Sequence, residues 1–168
     1  MKNALHRLGP WRIPVPAAAI AASFVGLTVA CGGDSSPASS AGGSWTDADT
    51  VSPASLAQEL TTATGNGKPV VVYTGPPFLY KLGHIPGAVA HGPASTAEGL
   101  SDLEGWARSL PRTSNVVIYC GCCPLRNCPN LRPSFEALKG VGFARLRVLV
   151  LPASFGTDWA DKGLPVER

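Results

Sequence analysis

The sequence predicts an α/β domain built on a parallel sheet with helices on both faces, and three observations carry that prediction. Short, wholly apolar runs rich in β-branched residues, Pro69-Val70-Val71-Val72-Tyr73 and Asn115-Val116-Val117-Ile118-Tyr119 above all, fit strands buried on both sides. Helical patterns separate those runs, and strands that alternate with helices indicate parallel pairing. Residues 51–168 number 118, enough for one modest domain with a single core.

The elements follow in order. Ser52 is placed to cap a first helix, Pro53 takes its first position, where a missing N–H costs nothing, and Leu56 and Leu60 share a face. The strand at 69–73 comes next, and Gly75-Pro76-Pro77 after it reads as a stiffened loop. Ala88-Val89-Ala90 reads as a short strand. The helix expected near 97–109 aligns Trp106 with Leu103 and Leu110, which assigns Trp106 to the core. After the strand at 115–119 a helix is expected near 131–140. Leu146-Arg147-Val148-Leu149-Val150-Leu151 is a fourth strand-like segment, interrupted only by Arg147.

The first thirty residues are expected to be a targeting signal and no part of the fold. Lys2, Arg7 and Arg12 make a basic start, and Pro14 and Pro16 shorten the apolar run that follows to the 14 residues AAAIAASFVGLTVA. A membrane-spanning helix needs roughly 20 apolar residues, so an export signal fits better. Leu27-Thr28-Val29-Ala30-Cys31 resembles the lipobox of bacterial lipoproteins, with Thr28 where those proteins usually carry Leu. That resemblance implies cleavage after residue 30, a lipid on Cys31, and a membrane anchor facing the periplasm or the exterior; ordinary signal-peptidase cleavage is the alternative. Residues 31–49, rich in Ser, Gly, Ala and Asp, read as a flexible tether in which Trp45 is the one large apolar residue, suited to docking on the domain of residues 50–168. The chain has 14 basic and 11 acidic residues, and its formal charge of +3 resides wholly in the three basic residues of the signal. The remainder is balanced, which argues against a nucleic-acid partner.

The densest chemistry is YCGCCPLRNCPNLRP, Tyr119 to Pro133, with four of the five cysteines between positions 120 and 128. In parallel α/β sheets ligands bind beyond the carboxyl ends of the strands, and Cys120 directly follows the most apolar of them. Thiols grouped this closely suit a reactive nucleophile, a disulfide or a metal. Pro133 lacks an N–H and is tolerated only in a first helical turn, so the following helix is expected to start with Asn130 as its cap and Pro133 third.

Several segments resemble the rhodanese-like family of sulfurtransferase domains. Gly83-His84-Ile85-Pro86-Gly87-Ala88-Val89 is similar to that family's GHIPGA motif, and Val116-Val117-Ile118-Tyr119-Cys120 to its strand ending in the catalytic cysteine. Gly142-Phe143, Trp159 and Gly163-Leu164-Pro165-Val166-Glu167 follow its closing pattern, and Val51-Ser52-Pro53 with Leu56 its opening, where the family has a short first strand. The resemblance spans residues 51–168 and implies a three-layer domain with a central parallel sheet of five strands. It departs from the family in three places. Tyr73 and Gly75 stand where the family often has an Asp-x-Arg element. The first arginine, Arg126, comes after five intervening residues instead of four. The loop from Cys120 to Asn130 is correspondingly longer.

The resemblance implies a thiosulfate-type sulfurtransferase or persulfide carrier with Cys120 as the catalytic thiolate and no cofactor. Gly121, Cys122, Cys123, Leu125, Arg126 and Arg132 form the candidate substrate-binding set, the two arginines as attractors of a small anionic sulfur donor; a thiol is the implied acceptor. Cys122, Cys123 and Cys128 are candidates for a bracing disulfide or for resolving thiols. A metal ranks behind these, because zinc sites usually take two separated Cys-x2-Cys pairs, although copper(I) would suit so soft a set. Cys120 and Arg126 also satisfy the Cys-x5-Arg pattern of cysteine phosphatases and arsenate reductases, but no acid stands within the loop. His84 is expected to be a hydrogen-bonding residue at the edge of the core, His91 to be without a catalytic role, and Trp159 to seal the core beside the loop. Two further classes stay open: a thiol module for disulfide exchange or metal binding on an inactive scaffold, and a noncatalytic domain that binds an envelope protein.

Overall fold

The structure, a computed structural model, describes residues 44–168. The signal segment, Cys31 and the tether through residue 43 lie outside the described residues. The strands are β1 (Thr50–Val51), β2 (Val70–Tyr73), β3 (Val89–Ala90), β4 (Asn115–Tyr119) and β5 (Arg145–Leu149), and the helices α1 (Pro53–Thr62), α2 (Pro77–Leu82), α3 (Ala97–Ala107), α4 (Leu131–Val141) and α5 (Phe155–Asp158). All strand pairs are parallel, in the order β1-β5-β4-β2-β3. This is the expected α/β architecture with its five strands.

Successive strand residues point to opposite faces, and the two faces have separate cores. Val72, Val116, Ile118, Leu146 and Val148 pack against α3 and α4 through Leu103, Phe135 and Leu138. Val51, Val71, Tyr73, Val117, Tyr119 and Leu149 pack on the other side with Leu56, Ile85 and Trp159. All five residues of β4, the middle strand, are buried. That double burial is why its sequence is an unbroken apolar run instead of an alternation.

The helix ends follow local chemistry. Ser52 Oγ accepts the Ser55 N–H at 3.1 Å and Pro53 opens α1, as predicted. Thr96 caps α3 in the same way through Gly99 N–H. Asn130 is the cap residue of α4, with Pro133 third in the helix, but its side chain makes no capping bond.

Other features match expectation in some places and depart from it in others. Pro77, expected in a loop, takes the first position of α2 (Pro77–Leu82). β1 is two residues long and is held to β5 by the pairing of Val51 with Leu149. Arg147, which interrupts a buried strand, is paired with the Glu59 carboxylate through two hydrogen bonds of 2.8 and 2.6 Å, and with Asn115 Oδ1 at 3.0 Å. Trp106 is only partly buried, while Trp159 is fully buried and donates its indole N–H to Pro165 O. Trp45 docks edge-on against Phe135, with ring centroids 5.1 Å apart. Among the described residues, no helix is long and apolar enough to cross a membrane.

Candidate active site

Cys120 follows the last residue of β4 and keeps the strand's alternation, so it falls on the face covered by α3 and α4. From β2 the sheet extends outward to β3, and from β4 it extends the opposite way to β5. The loops leaving β2 and β4 therefore diverge at the carboxyl edge and leave a crevice between them. They approach closely at Gly75: a Cβ there would lie 2.8 Å from Cys120 Sγ and 2.6 Å from Tyr73 Oη, so a larger residue would displace those side chains. Tyr73 Oη donates to Pro76 O at 3.1 Å. That bond fastens the β2 loop in which the Asp-x-Arg element does not occur.

The crevice is a cavity of about 360 Å³ whose lining includes Tyr73, Leu82, Cys120, Gly121, Cys122, Phe155 and Arg168. Gly121 turns the chain at φ +74°, and its carbonyl accepts the Phe155 N–H at 3.0 Å. α5, which carries Phe155, is fixed in turn by Asp158, whose carboxylate accepts the N–H groups of Ala153 and Ser154 at 2.6 and 2.9 Å. A larger cavity, about 510 Å³, opens at the amino end of the strands beside Glu59, Asn115 and Arg147. Glu59 and Arg147 there are paired with each other, Arg145 donates to Asn66 O, and the lining contains no nucleophile.

The loop after Gly121 runs through a 3₁₀ turn, Leu125–Asn127, and returns Cys128 to the cluster. The sulfurs of Cys120 and Cys122 are 3.1 Å apart and those of Cys122 and Cys123 3.2 Å apart. Those of Cys120, Cys122 and Cys128 all lie within 4.8 Å of one another. All four cysteines are free thiols, two buried and two with some exposure. Asn130 Nδ2 donates to Cys120 Sγ at 3.3 Å, while its Oδ1 accepts the Ser95 N–H at 2.9 Å. Sequence reasoning assigns Asn130 only as a cap, whereas the structure uses its side chain to address the thiol.

The Cys120 thiol is hydrogen-bonded to Cys128. Its donation to Cys128, followed by burial, raises the Cys120 pKa; the same bond, together with the backbone N–H groups of Asn130 and Leu131, lowers Cys128 to about 6. Cys123 is pushed up to about 12, chiefly by burial.

The predicted substrate-binding residues divide into two groups. Gly121 and Cys122 line the cavity with Cys120. Cys123 and Leu125 pack instead against the α3/α4 core, Leu125 donating its N–H to Leu151 O. Arg126 lies on the 3₁₀ turn, exposed to solvent and outside the cavity lining. The Arg132 guanidinium lies 3.8 Å from the Trp45 ring centre and 3.7 Å from Glu136, also outside that lining. The cation that does line the cavity is Arg168.

His84 is buried; its Nδ1 lies 3.0 Å from Tyr80 O, and its backbone pairs with that of Glu167. That is the structural role expected of it. His91 has an acid partner that its near neighbours in sequence did not reveal, Asp102 at 2.9 Å, and it stacks on Trp106.

The chain shares its architecture with a crystal structure of the Alr3790 protein from Anabaena sp., at a TM-score of 0.52 over 70% of this chain and 81% of that one, with 19% identity. The fold is rhodanese-like. Two further structures are of the rhodanese-like domain of the same Anabaena protein, at 22% and 20% identity and TM-scores of 0.44, each matching 59% of this chain and, respectively, 98% and 80% of its own. No protein-family model and no curated protein matches the sequence. At these identities the likeness is one of fold, so the chemistry of the rhodanese-like scaffold must be argued from its own cysteines.

Proposed function

We propose that the chain is a thiosulfate-type sulfurtransferase or persulfide carrier working through Cys120. One observation carries the reading: Cys120 stands at the carboxyl end of the central strand, at the divergence of two loops, and lines a cavity to whose wall the exposed Arg168 also contributes. The deprotonated sulfur attacks the outer sulfur of a thiosulfate-type donor. The donor's S–S bond breaks, sulfite leaves with the bonding pair, and Cys120 carries a persulfide. The Cys120 proton passes along its hydrogen bond to Cys128. An acceptor thiolate then attacks the terminal sulfur, and the Cys120 thiolate departs with its electron pair. Asn130 Nδ2 supports the negative charge on Cys120 in both steps.

The proposal includes a location. Leu27-Thr28-Val29-Ala30-Cys31 supports a lipid anchor on Cys31, which would hold the domain at the outer side of a membrane within reach of envelope thiols or an envelope protein partner. Membrane partition and the intact mass of the processed chain test this; a soluble form beginning at Cys31 without acyl mass would refute it.

The activity is tested by the intact mass of the purified chain before and after thiosulfate, without reductant. The expected result is a gain of about 32 Da, one sulfur, lost on adding cyanide, abolished by Cys120→Ser and retained in Cys31→Ser. Equal sulfur gain in both variants would remove Cys120 from the mechanism.

A further inference from the structure

The cysteine cluster offers more ligand sulfur than a single nucleophile requires. Persulfide chemistry at Cys120 leaves Cys122 without an assigned task, although its sulfur lies 3.1 Å from that of Cys120. The spacing of the cluster suits a shared ligand. A zinc–thiolate bond of about 2.3 Å sets the sulfurs of one centre about 3.8 Å apart. The Cys120, Cys122 and Cys128 sulfurs, all within 4.8 Å of one another, fall in that range with little adjustment.

The frame around them is already organised. Gly121 turns Cys122 back toward Cys120, and the 3₁₀ turn returns Cys128. Asn130, itself fixed by Ser95, donates to Cys120, and the N–H groups of Asn130 and Leu131 address Cys128. Such outer hydrogen bonds orient thiolate ligands and offset their charge. The donor set contains sulfur alone, with no carboxylate or imidazole, and therefore selects soft ions over magnesium or calcium. Two ligands are buried, and the exposed Cys122 provides access.

We propose that Cys120, Cys122 and Cys128 bind one thiophilic metal ion as thiolates, with copper(I) as the ion that three sulfurs satisfy. Binding releases each thiol proton still present and involves no electron transfer, since copper is taken up already reduced. Zinc would require a fourth ligand, for which Cys123, 3.2 Å from Cys122, is the nearest sulfur. Because Cys120 belongs to both sites, an occupied metal site and a persulfide on Cys120 exclude each other. The metal proposal stands whether or not sulfur is transferred.

The test uses the whole chain carrying Cys31→Ser, so that the fifth thiol is absent, under anaerobic conditions. Copper(I) is titrated against bathocuproine disulfonate, and zinc against a chromophoric chelator, with native mass spectrometry for stoichiometry. The expected result is one copper(I) per chain withdrawn from the chelator, affinity at least tenfold weaker in Cys122→Ser, and copper binding preserved in Cys123→Ser. Cys122 is exposed, so its serine variant is expected to fold, and circular dichroism verifies this. Three results would each overturn the assignment: copper left wholly on the chelator, unchanged affinity in Cys122→Ser, or retention of zinc without copper. Sulfur gain from thiosulfate, measured on the metal-free protein, reads the transfer reaction separately.

Discussion

Asn130 Nδ2 donates to Cys120 Sγ across ten residues of loop, and Asn130 Oδ1 holds the Ser95 N–H that precedes α3. One amide thus ties the candidate nucleophile to both helices covering its face of the sheet. Asn130→Asp keeps the acceptor for Ser95 but replaces the donor facing the sulfur with a second acceptor. The loss of a hydrogen bond to a developing thiolate is worth about 1.5–3 kcal/mol, so sulfur transfer is expected to fall at least about tenfold. Steady-state kinetics with thiosulfate and a melting curve for the same variant check this. A variant that stays folded at full rate would remove Asn130 from the site.

Gly121 is required twice over. Its φ of +74° lies in the left-handed region, and a Cβ there would come within 2.6 Å of Phe155 Cβ. Gly121→Ala is expected to cost about 2 kcal/mol or more, combining the left-handed penalty with displacement of α5. Urea unfolding measures the cost. The cavity wall formed by Phe155 moves with it, so KM for the donor should rise as well.

The Glu59–Arg147 pair predicts a pH dependence. The hydrogen bonds from Arg147 hold the Glu59 carboxyl below its ordinary value of 4.5, against the opposing effect of burial. A carboxyl with a depressed folded pKa stabilises the fold above its unfolded value and loses that contribution as the pH falls through the folded value. The pair therefore contributes at pH 7 and fades below about pH 4.5. Both side chains keep some solvent contact, 32% for Glu59 and 23% for Arg147, so the expected loss in Glu59→Gln at pH 7 is about 1 kcal/mol. Denaturation at pH 7 and pH 3 compares variant and parent; the gap should narrow at pH 3, and an equal gap at both would refute an ionic origin.

What the sequence discloses follows from range. Val70 to Tyr73 and Asn115 to Tyr119 are legible as strands because burial on both faces imposes an apolar run that needs no partner to be seen. The cap Ser52 was legible because it acts within three residues of itself. β1 is too short for any period and exists only through β5. α2 is concealed by Gly75-Pro76-Pro77, which resembles a loop until Pro77 is recognised as a helix start. The strand-end position of Cys120 was legible for the same reason as its strand. Its surroundings were not, because Phe155 and Arg168 come from distant segments and join Cys120 only at the carboxyl edge of the sheet. Arg147 likewise looked anomalous because its partner Glu59 is 88 residues away.

The position of the cation provides a last prediction. The family resemblance implies Arg126 and Arg132 as attractors of an anionic donor, whereas the cavity beside Cys120 is lined by Arg168. Arg126 is exposed on its turn, and Arg132 stacks over Trp45. A partly screened charge interaction with a bound anion is worth about 1 kcal/mol. Arg168→Ala is therefore expected to raise KM for thiosulfate about fivefold with little change in kcat, and the effect should shrink in high salt. Arg126→Ala should leave KM within about twofold of the parent, since Arg126 lies outside the cavity lining and a screened charge acts weakly at a distance. Kinetics at low and high ionic strength distinguish the two residues. A larger effect from Arg126 than from Arg168 would mean that the donor approaches over the cysteine loop instead of through the cavity.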